Sequence, residues 1–170
     1  MERETGLLTA RDGYVLDKMF ADWPPLTEEW LALLTRKRAL ARMPADAPAP
    51  AGLAAIDTRV AFRCASGLTD ARTLCLPGTY VPGSAFLPIT TFYGLALLGL
   101  REGEAIGFDR PEGRRDWIVL EKVLFRPAAG KVGEDPVRPS FRLIAGGLEE
   151  RAFAPANENG PGQGPGPSAA

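Results

Sequence analysis

Histidine is absent from this 170-residue chain, and cysteine occurs only twice. Histidine is the commonest acid–base catalyst and metal ligand, so Ser–His and Cys–His nucleophile pairs and His-based zinc sites are excluded. Two cysteines are also too few for a four-thiolate zinc site or an iron–sulfur cluster. Any chemistry would fall to carboxylates, Lys, Thr or a lone thiol, and no metal or cofactor is expected. An excess of one charge is lacking too. Twenty Lys and Arg stand against 21 Asp and Glu, which argues against nucleic-acid binding through a basic face and points to a protein partner. No run approaches the roughly 20 apolar residues of a membrane span, and Met1 to Asp17 lack the apolar stretch of a signal peptide. The expectation is a cytoplasmic protein without membrane contact.

What is present, 45% apolar residues with 19 Gly and 16 Pro, reads as one ordinary domain with appendages. Five segments separate by composition: a flexible start at 1–8, two helices over 9–42, a proline-rich linker at 43–55, a mixed strand and helix domain at 56–127, and a mostly disordered tail at 128–170. Thr9 is the N-cap of a first helix over about Ala10 to Phe20, with Tyr14, Leu16, Met19 and Phe20 as its apolar positions. The second helix follows Pro24 and Pro25, with Thr27 as N-cap, Glu28 and Glu29 at the positive end of its dipole, and Leu26 placed to staple onto Leu31. Its apolar stripe, Trp30, Leu33, Leu34, Leu40 and Ala41, carries it to about Arg42 and packs on the first helix. The short connection makes the pair an antiparallel hairpin. Pro44, Pro48 and Pro50 then forbid helix and predict a stiff spacer.

From residue 58 the period changes to that of strands. Val60, Phe62 and Cys64 alternate with Arg59, Ala61 and Arg63, and Ala71 to Leu76 return after a turn at Ser66 to Asp70. If Val60 and Phe62 share a face with Leu74 and Leu76, Cys64 points inward and Cys75 outward, so no disulfide joins them. A short extended piece follows at Ala85 to Ile89. Thr90 or Thr91 caps a helix over about Phe92 to Leu98, stopped by Gly99. Strands then follow at Ala105 to Asp109 and, after a turn at Pro111-Glu112-Gly113, at Arg115 to Arg126. In the last strand the apolar parity slips from Ile118 and Leu120 to Val123 and Phe125, the mark of a β-bulge near Glu121 or of a twisted edge strand. The tail holds one apolar cluster, Phe141 to Ile144, before a Gly- and Pro-rich end that cannot bury a core.

Four stretches of the 56–127 segment resemble a known family: Asp57 to Arg63, Thr73 to Pro77, the block Ala96-Leu97-Leu98-Gly99-Leu100-Arg101-Glu102-Gly103, and Val119 to Pro127. Their order and spacing resemble the C-terminal domain of the bacterial GreA/GreB transcription elongation factors, most of all the branch called regulator of nucleoside diphosphate kinase (Rnk), where a short helical hairpin precedes this domain. With the hairpin, the resemblance covers about two thirds of the chain. It implies an α+β architecture: a short N-terminal antiparallel helical hairpin, or coiled coil, followed by an FKBP-like twisted antiparallel sheet with one packed helix. It also implies RNA polymerase as partner, with docking near the secondary channel.

The resemblance implies two groups of site residues. In cleavage-stimulating relatives the tip of a long hairpin carries an Asp and a Glu that hold a metal in the polymerase; here Asp22, Glu28 and Glu29 lie near the tip of a hairpin too short for such delivery, and acids at a helix start also have a dipole explanation. Where the family begins its helix with a small residue, Pro and then Gly, this chain has Thr91-Phe92-Tyr93-Gly94. That aromatic pair is either core packing or an exposed contact patch for polymerase. The leading expectation is therefore a non-catalytic, non-enzymatic regulator that binds RNA polymerase without stimulating transcript cleavage. The alternatives are an FKBP-like prolyl isomerase, resting on fold analogy alone, and a module that binds another protein such as a nucleotide kinase.

Overall fold

Threonine side chains open both N-terminal helices in the computed structural model, which describes residues 6–128. Asp12 N donates to Thr9 Oγ1 at 3.0 Å at the start of α1 (Ala10–Asp22), and Trp30 N donates to Thr27 Oγ1 at 3.2 Å at the start of α2 (Glu28–Arg38). Contacts divide the chain into two units, Met1–Gly133 and Glu134–Ala170, and the described residues belong to the first. The apolar cluster Phe141 to Ile144 and the tail expected to be disordered lie outside the described residues.

Helix α2 is shorter than its stripe suggested. It ends at Arg38, and the chain turns into strand β2 (Ala41–Arg42), which pairs in parallel with β1 (Leu7–Leu8). Leu7 and Leu8 are thus not a flexible start, and Leu8 is fully buried. Arg42 serves no helix dipole; its guanidinium forks onto Asp17 of α1 at 2.7 and 2.9 Å, and Arg38 Nε reaches the same carboxylate at 3.0 Å. Hydrogen bonds from these two arginines hold the Asp17 carboxyl down at about 2. Leu26, expected to staple onto Leu31, is 64% exposed, so little of it is buried there.

Five strands form the main sheet: β3 (Arg59–Cys64), β4 (Thr69–Cys75), β5 (Phe86–Pro88), β6 (Ala105–Arg110) and β7 (Arg114–Phe125), in the order β5-β4-β3-β7-β6. The sheet is mixed rather than wholly antiparallel, because β5 runs parallel to β4. A tight hairpin would have reversed the chain, whereas the ten residues from Leu76 to Ala85 let it return in the same direction. The slip in β7 is a bulge, and there are two: the register against β3 jumps between Lys122 and Leu120 and again between Phe125 and Val123. Each extra residue inverts the side-chain parity. Two inversions leave Ile118 and Leu120 fully buried, Val123 half-buried and Phe125 60% exposed, although Phe125 was expected inside.

Helix α3 (Phe92–Leu97) packs on α2 and on β5, β6 and β7. One hydrophobic cluster runs through everything, joining Leu16 and Met19 of α1, Trp30, Leu33 and Leu34 of α2, Leu95 to Leu98 at α3, and Val60, Phe62, Ile106, Ile118 and Leu120 of the sheet. The end of the proline-rich segment belongs to it as well. Residues 44 to 50 lie at the surface, but Leu53, Ala54 and Ala55 are buried, and Ala54 exchanges backbone hydrogen bonds with Leu100 and Gly99, each at 2.8 Å. A stiff spacer between separate parts is therefore not what this segment forms. Both cysteines are free and both are buried. Cys75, expected on an outer face, is covered at the end of β4, and burial pushes its thiol up, away from the thiolate that reactivity needs.

A shared core sets the stability of helices and sheet together. Leu34→Ala in α2 should lower global stability by about 2–5 kcal/mol, and a denaturant melt should lose helical and sheet signals in one transition. Tyr14→Ala, at a position 63% exposed, should stay within about 0.5 kcal/mol of the parent.

Candidate functional site

The candidate site is the N-terminus of α3, where the chain turns off β5. Thr91 Oγ1 accepts from Gly94 N at 3.0 Å and donates to Pro88 O at 2.7 Å, so one hydroxyl caps the helix and clamps the preceding turn. A Cβ built on Gly94 would stand 2.1 Å from Pro88 O. Glycine is required here by a backbone crossing, whatever the surface outside it does.

Phe92 and Tyr93 are half-buried, and Thr91 is exposed. Phe92 packs against the edge of the core and stacks on Phe108 of β6, with ring centroids 5.9 Å apart and planes 13° apart. Tyr93 meets the same ring edge-on at 6.0 Å. The Arg110 guanidinium lies over both, 4.6 Å from the Tyr93 centroid and 5.5 Å from that of Phe92, a geometry in which the cation sits on the negative face of each ring. Tyr93 donates its hydroxyl proton to Asp116 Oδ2 at 2.8 Å, Arg110 Nε lies 3.0 Å from the same oxygen, and Trp117 N donates to Oδ1 at 2.8 Å. Burial, then the hydrogen bond to Asp116, push the Tyr93 phenol up to about 12. The arrangement is a half-exposed aromatic and ionic knot in which the phenol is held neutral.

Phe108, Arg110 and Asp116 were not singled out from the sequence. The signal was present: strand alternation puts Ile106, Phe108 and Arg110 on one face, and the turn at Pro111–Gly113 brings Phe108 opposite Asp116 and Arg110 opposite Arg114. Diagonal neighbours across such a pair are within reach of long side chains.

The acids near the expected hairpin tip are not assembled into one group. Asp22 pairs with Lys18 at 3.7 Å and lines an apolar groove with Met19, Trp23 and Pro77. Glu28 and Glu29 border a different depression beside Arg36, Phe108 and Asp109. Among the described residues no cluster of three or more Asp, Glu, Cys or His side chains is placed to hold a metal ion, and no helix is long and apolar enough to cross a membrane.

Comparison with known proteins is informative at the level of fold. No protein-family model matches the chain, and no curated protein matches it. Among solved structures, a prokaryotic transcription elongation factor GreA/GreB from Nitrosomonas europaea is similar, with a TM-score of 0.50 and 22% identity over 71% of this chain and 98% of that one. Gfh1 from Thermus aquaticus is 13% identical, with a TM-score of 0.37 over 66% of this chain and 82% of its own. The GreA factor homolog 1 (Gfh1) of Thermus thermophilus is 13% identical, with a TM-score of 0.33 over 71% and 99%. The first of these likenesses shows the fold: the chain is an α+β protein built like a GreA/GreB transcription elongation factor.

Two measurements follow from the geometry. Gly94→Ala should cost about 3 kcal/mol or more, since the new methyl meets a backbone carbonyl that no rotamer can move aside, read as a lowered melting midpoint. The neutral Tyr93 phenol is favoured in the folded state, so its contribution to stability is whole below pH 10 and is lost as pH rises through about 12. Phenolate absorbance should accordingly show one late-titrating tyrosine, and Tyr93→Phe should remove that step alone.

Proposed function

We propose that this protein is a non-catalytic transcription regulator that docks on RNA polymerase near its secondary channel, using the surface at Thr91, Phe92, Tyr93 and Gly94. The observation that carries the reading is the GreA/GreB-like fold with a rigid aromatic pair standing half-exposed at the start of α3, next to an exposed threonine. Aromatic side chains held in place by their neighbours are favoured interface anchors, because little side-chain freedom is lost on binding.

The proposal includes the sequence motifs of the Rnk branch, the FKBP-like description of the sheet with its packed helix, the reading of α1 and α2 as a short hairpin, and a cytoplasmic setting. Absence of cleavage stimulation is part of it. Helix α2 has 11 residues, about 16 Å at 1.5 Å per residue, and Asp22 lines a different depression from Glu28 and Glu29. Such a pair of helices is poorly suited to carrying two carboxylates together into a remote active centre. The depression beside the start of α3 has a single aromatic side chain in its lining, Tyr93, which supports docking over the isomerase reading.

Purified RNA polymerase should bind the full chain, and Phe92→Ala should weaken binding by about tenfold or more while lowering stability by no more than about 2 kcal/mol, as befits a half-buried ring. Unchanged binding in a folded Phe92→Ala variant would move the docking surface elsewhere. Arrested elongation complexes should release no cleavage product on addition of the protein; a product that disappears with Asp22→Ala would make the tip acids a metal site and the protein a cleavage factor.

A further inference from the structure

We propose that the face of the main sheet turned away from the helices is a second docking surface, whose partner is an extended protein segment with acidic residues spaced between apolar ones. The strand register builds this surface. Phe125 of β7, Arg59 of β3, Thr73 of β4 and Phe86 of β5 stand opposite one another in a single row across four strands. Phe125 is 60% exposed and Phe86 37%, and Arg59 between them is exposed as well. Further along β7, Trp117 is also exposed on this face, with the Arg63 guanidinium 5.9 Å from its ring centroid. Exposed aromatic and arginine side chains of this kind are the usual anchors of a protein contact.

The two bulges of β7 are what turn these groups outward. The first leaves Glu121 and Lys122 both exposed, and the second does the same for Leu124 and Phe125. The charges on the face do not balance. Arg63 pairs with Glu121 at 3.1 Å, and Arg115 stands opposite Asp109. Arg59 and Lys122 remain, with Lys122 opposite Ala61 in the row next to that of Arg59, and neither side chain makes a hydrogen bond or ion pair among the described residues. A second copy of the same face would set these cations against their like. A nucleic acid would gain little, since two phosphate contacts on a single strand give a salt slope of only about −1.4. A protein carboxylate is matched by one such cation.

Spacing selects the form of the partner. Three strand spacings put Phe86 about 14 Å from Phe125, and residues i and i+4 of an extended chain are about 13 Å apart on the face they share with i+2. An apolar residue, an acid two positions on and a second apolar residue two beyond that therefore lie over Phe125, Arg59 and Phe86. The helices share one core with the inner face of the sheet, so this surface is separate from Thr91 to Gly94. Its failure leaves polymerase docking standing.

Fluorescence anisotropy of a labelled peptide, Phe-Ser-Asp-Ser-Phe-Ser-Asp-Ser-Phe, titrated with the full chain tests the proposal. The same peptide with Lys in place of Asp, and an oligothymidylate, are the parallel probes. Expected are saturable binding of the acidic peptide and affinity weaker by about tenfold or more in Arg59→Gln/Lys122→Gln and in Phe125→Ser. The lysine peptide should bind more weakly by a similar factor. Arg101→Gln/Arg114→Gln, which removes two exposed charges elsewhere, and Phe92→Ala should bind the acidic peptide like the parent. Arg59 and Lys122 are exposed; should their double variant melt lower, the two single variants carry the same comparison. Absence of saturation, or equal affinity in the parent and the folded variants, overturns the proposal. So does equal binding of the lysine peptide, which would make the contact purely apolar, or tighter binding of the oligothymidylate, which would make the face one for nucleic acid.

Discussion

Helix α3 has six residues, too few to be stable by its own hydrogen bonds, and the rest of the described structure is arranged around holding it. At its start the Thr91 hydroxyl caps the helix and Gly94 passes against Pro88. At its end the buried ammonium of Lys37, from α2, donates to Leu98 O at 2.9 Å, placing a cation where the helix dipole is negative. Gly99 then turns with φ of +81°, donating to Ala54 O and accepting from Leu7 N, both at 2.8 Å. Segments distant in sequence, β1, α2 and the end of the proline-rich stretch, thus converge on one helix terminus. That convergence merges helices and sheet into one core.

The same constraint shapes the candidate site. Because α3 is pinned from behind, its first turn presents Phe92 and Tyr93 to β6, where Phe108 and Arg110 receive them and Asp116 closes the knot. Gly94, which in the family resemblance suggested a docking surface, has a sufficient explanation in the backbone crossing at Pro88. In the knot the Asp116 carboxylate accepts from Tyr93 and from Trp117 N, whereas the buried Nε of Arg110, 3.0 Å from that carboxylate, makes no well-directed hydrogen bond.

Regular local signals were readable in advance. Thr9 and Thr27 are the caps their positions announced and Thr91 is the one of Thr90 and Thr91 that caps α3, the alternation of Val60, Phe62 and Cys64 gave the inner face of β3, and of the two readings of the slip at Glu121 the bulge is the one present. These are contacts between neighbours in sequence, governed by side-chain chemistry and a fixed period. The misplacements occurred where remote contacts outweighed them. The stretch up to Arg42 read as helix, but the helix stops at Arg38 and Ala41–Arg42 form a strand, for which Leu7 and Leu8 offer a partner. Phe125 read as core and faces out, because a second bulge inverted the parity again.

What the sequence alone determined is the α+β class, the order of α1, α2, β3, β4, β5, α3, β6 and β7, the helix caps and the absence of any His- or multi-Cys-based chemistry, each a matter of residue type and short-range pattern. Only tertiary structure decided that the proline-rich segment ends inside the core, that β5 runs parallel to β4, that Cys75 is covered, and that Phe92, Tyr93, Phe108, Arg110 and Asp116 form one cluster. Those outcomes depend on which surfaces meet across tens of residues. Such meetings are settled by the joint burial of apolar area and the pairing of buried polar groups, quantities that no local window of sequence contains.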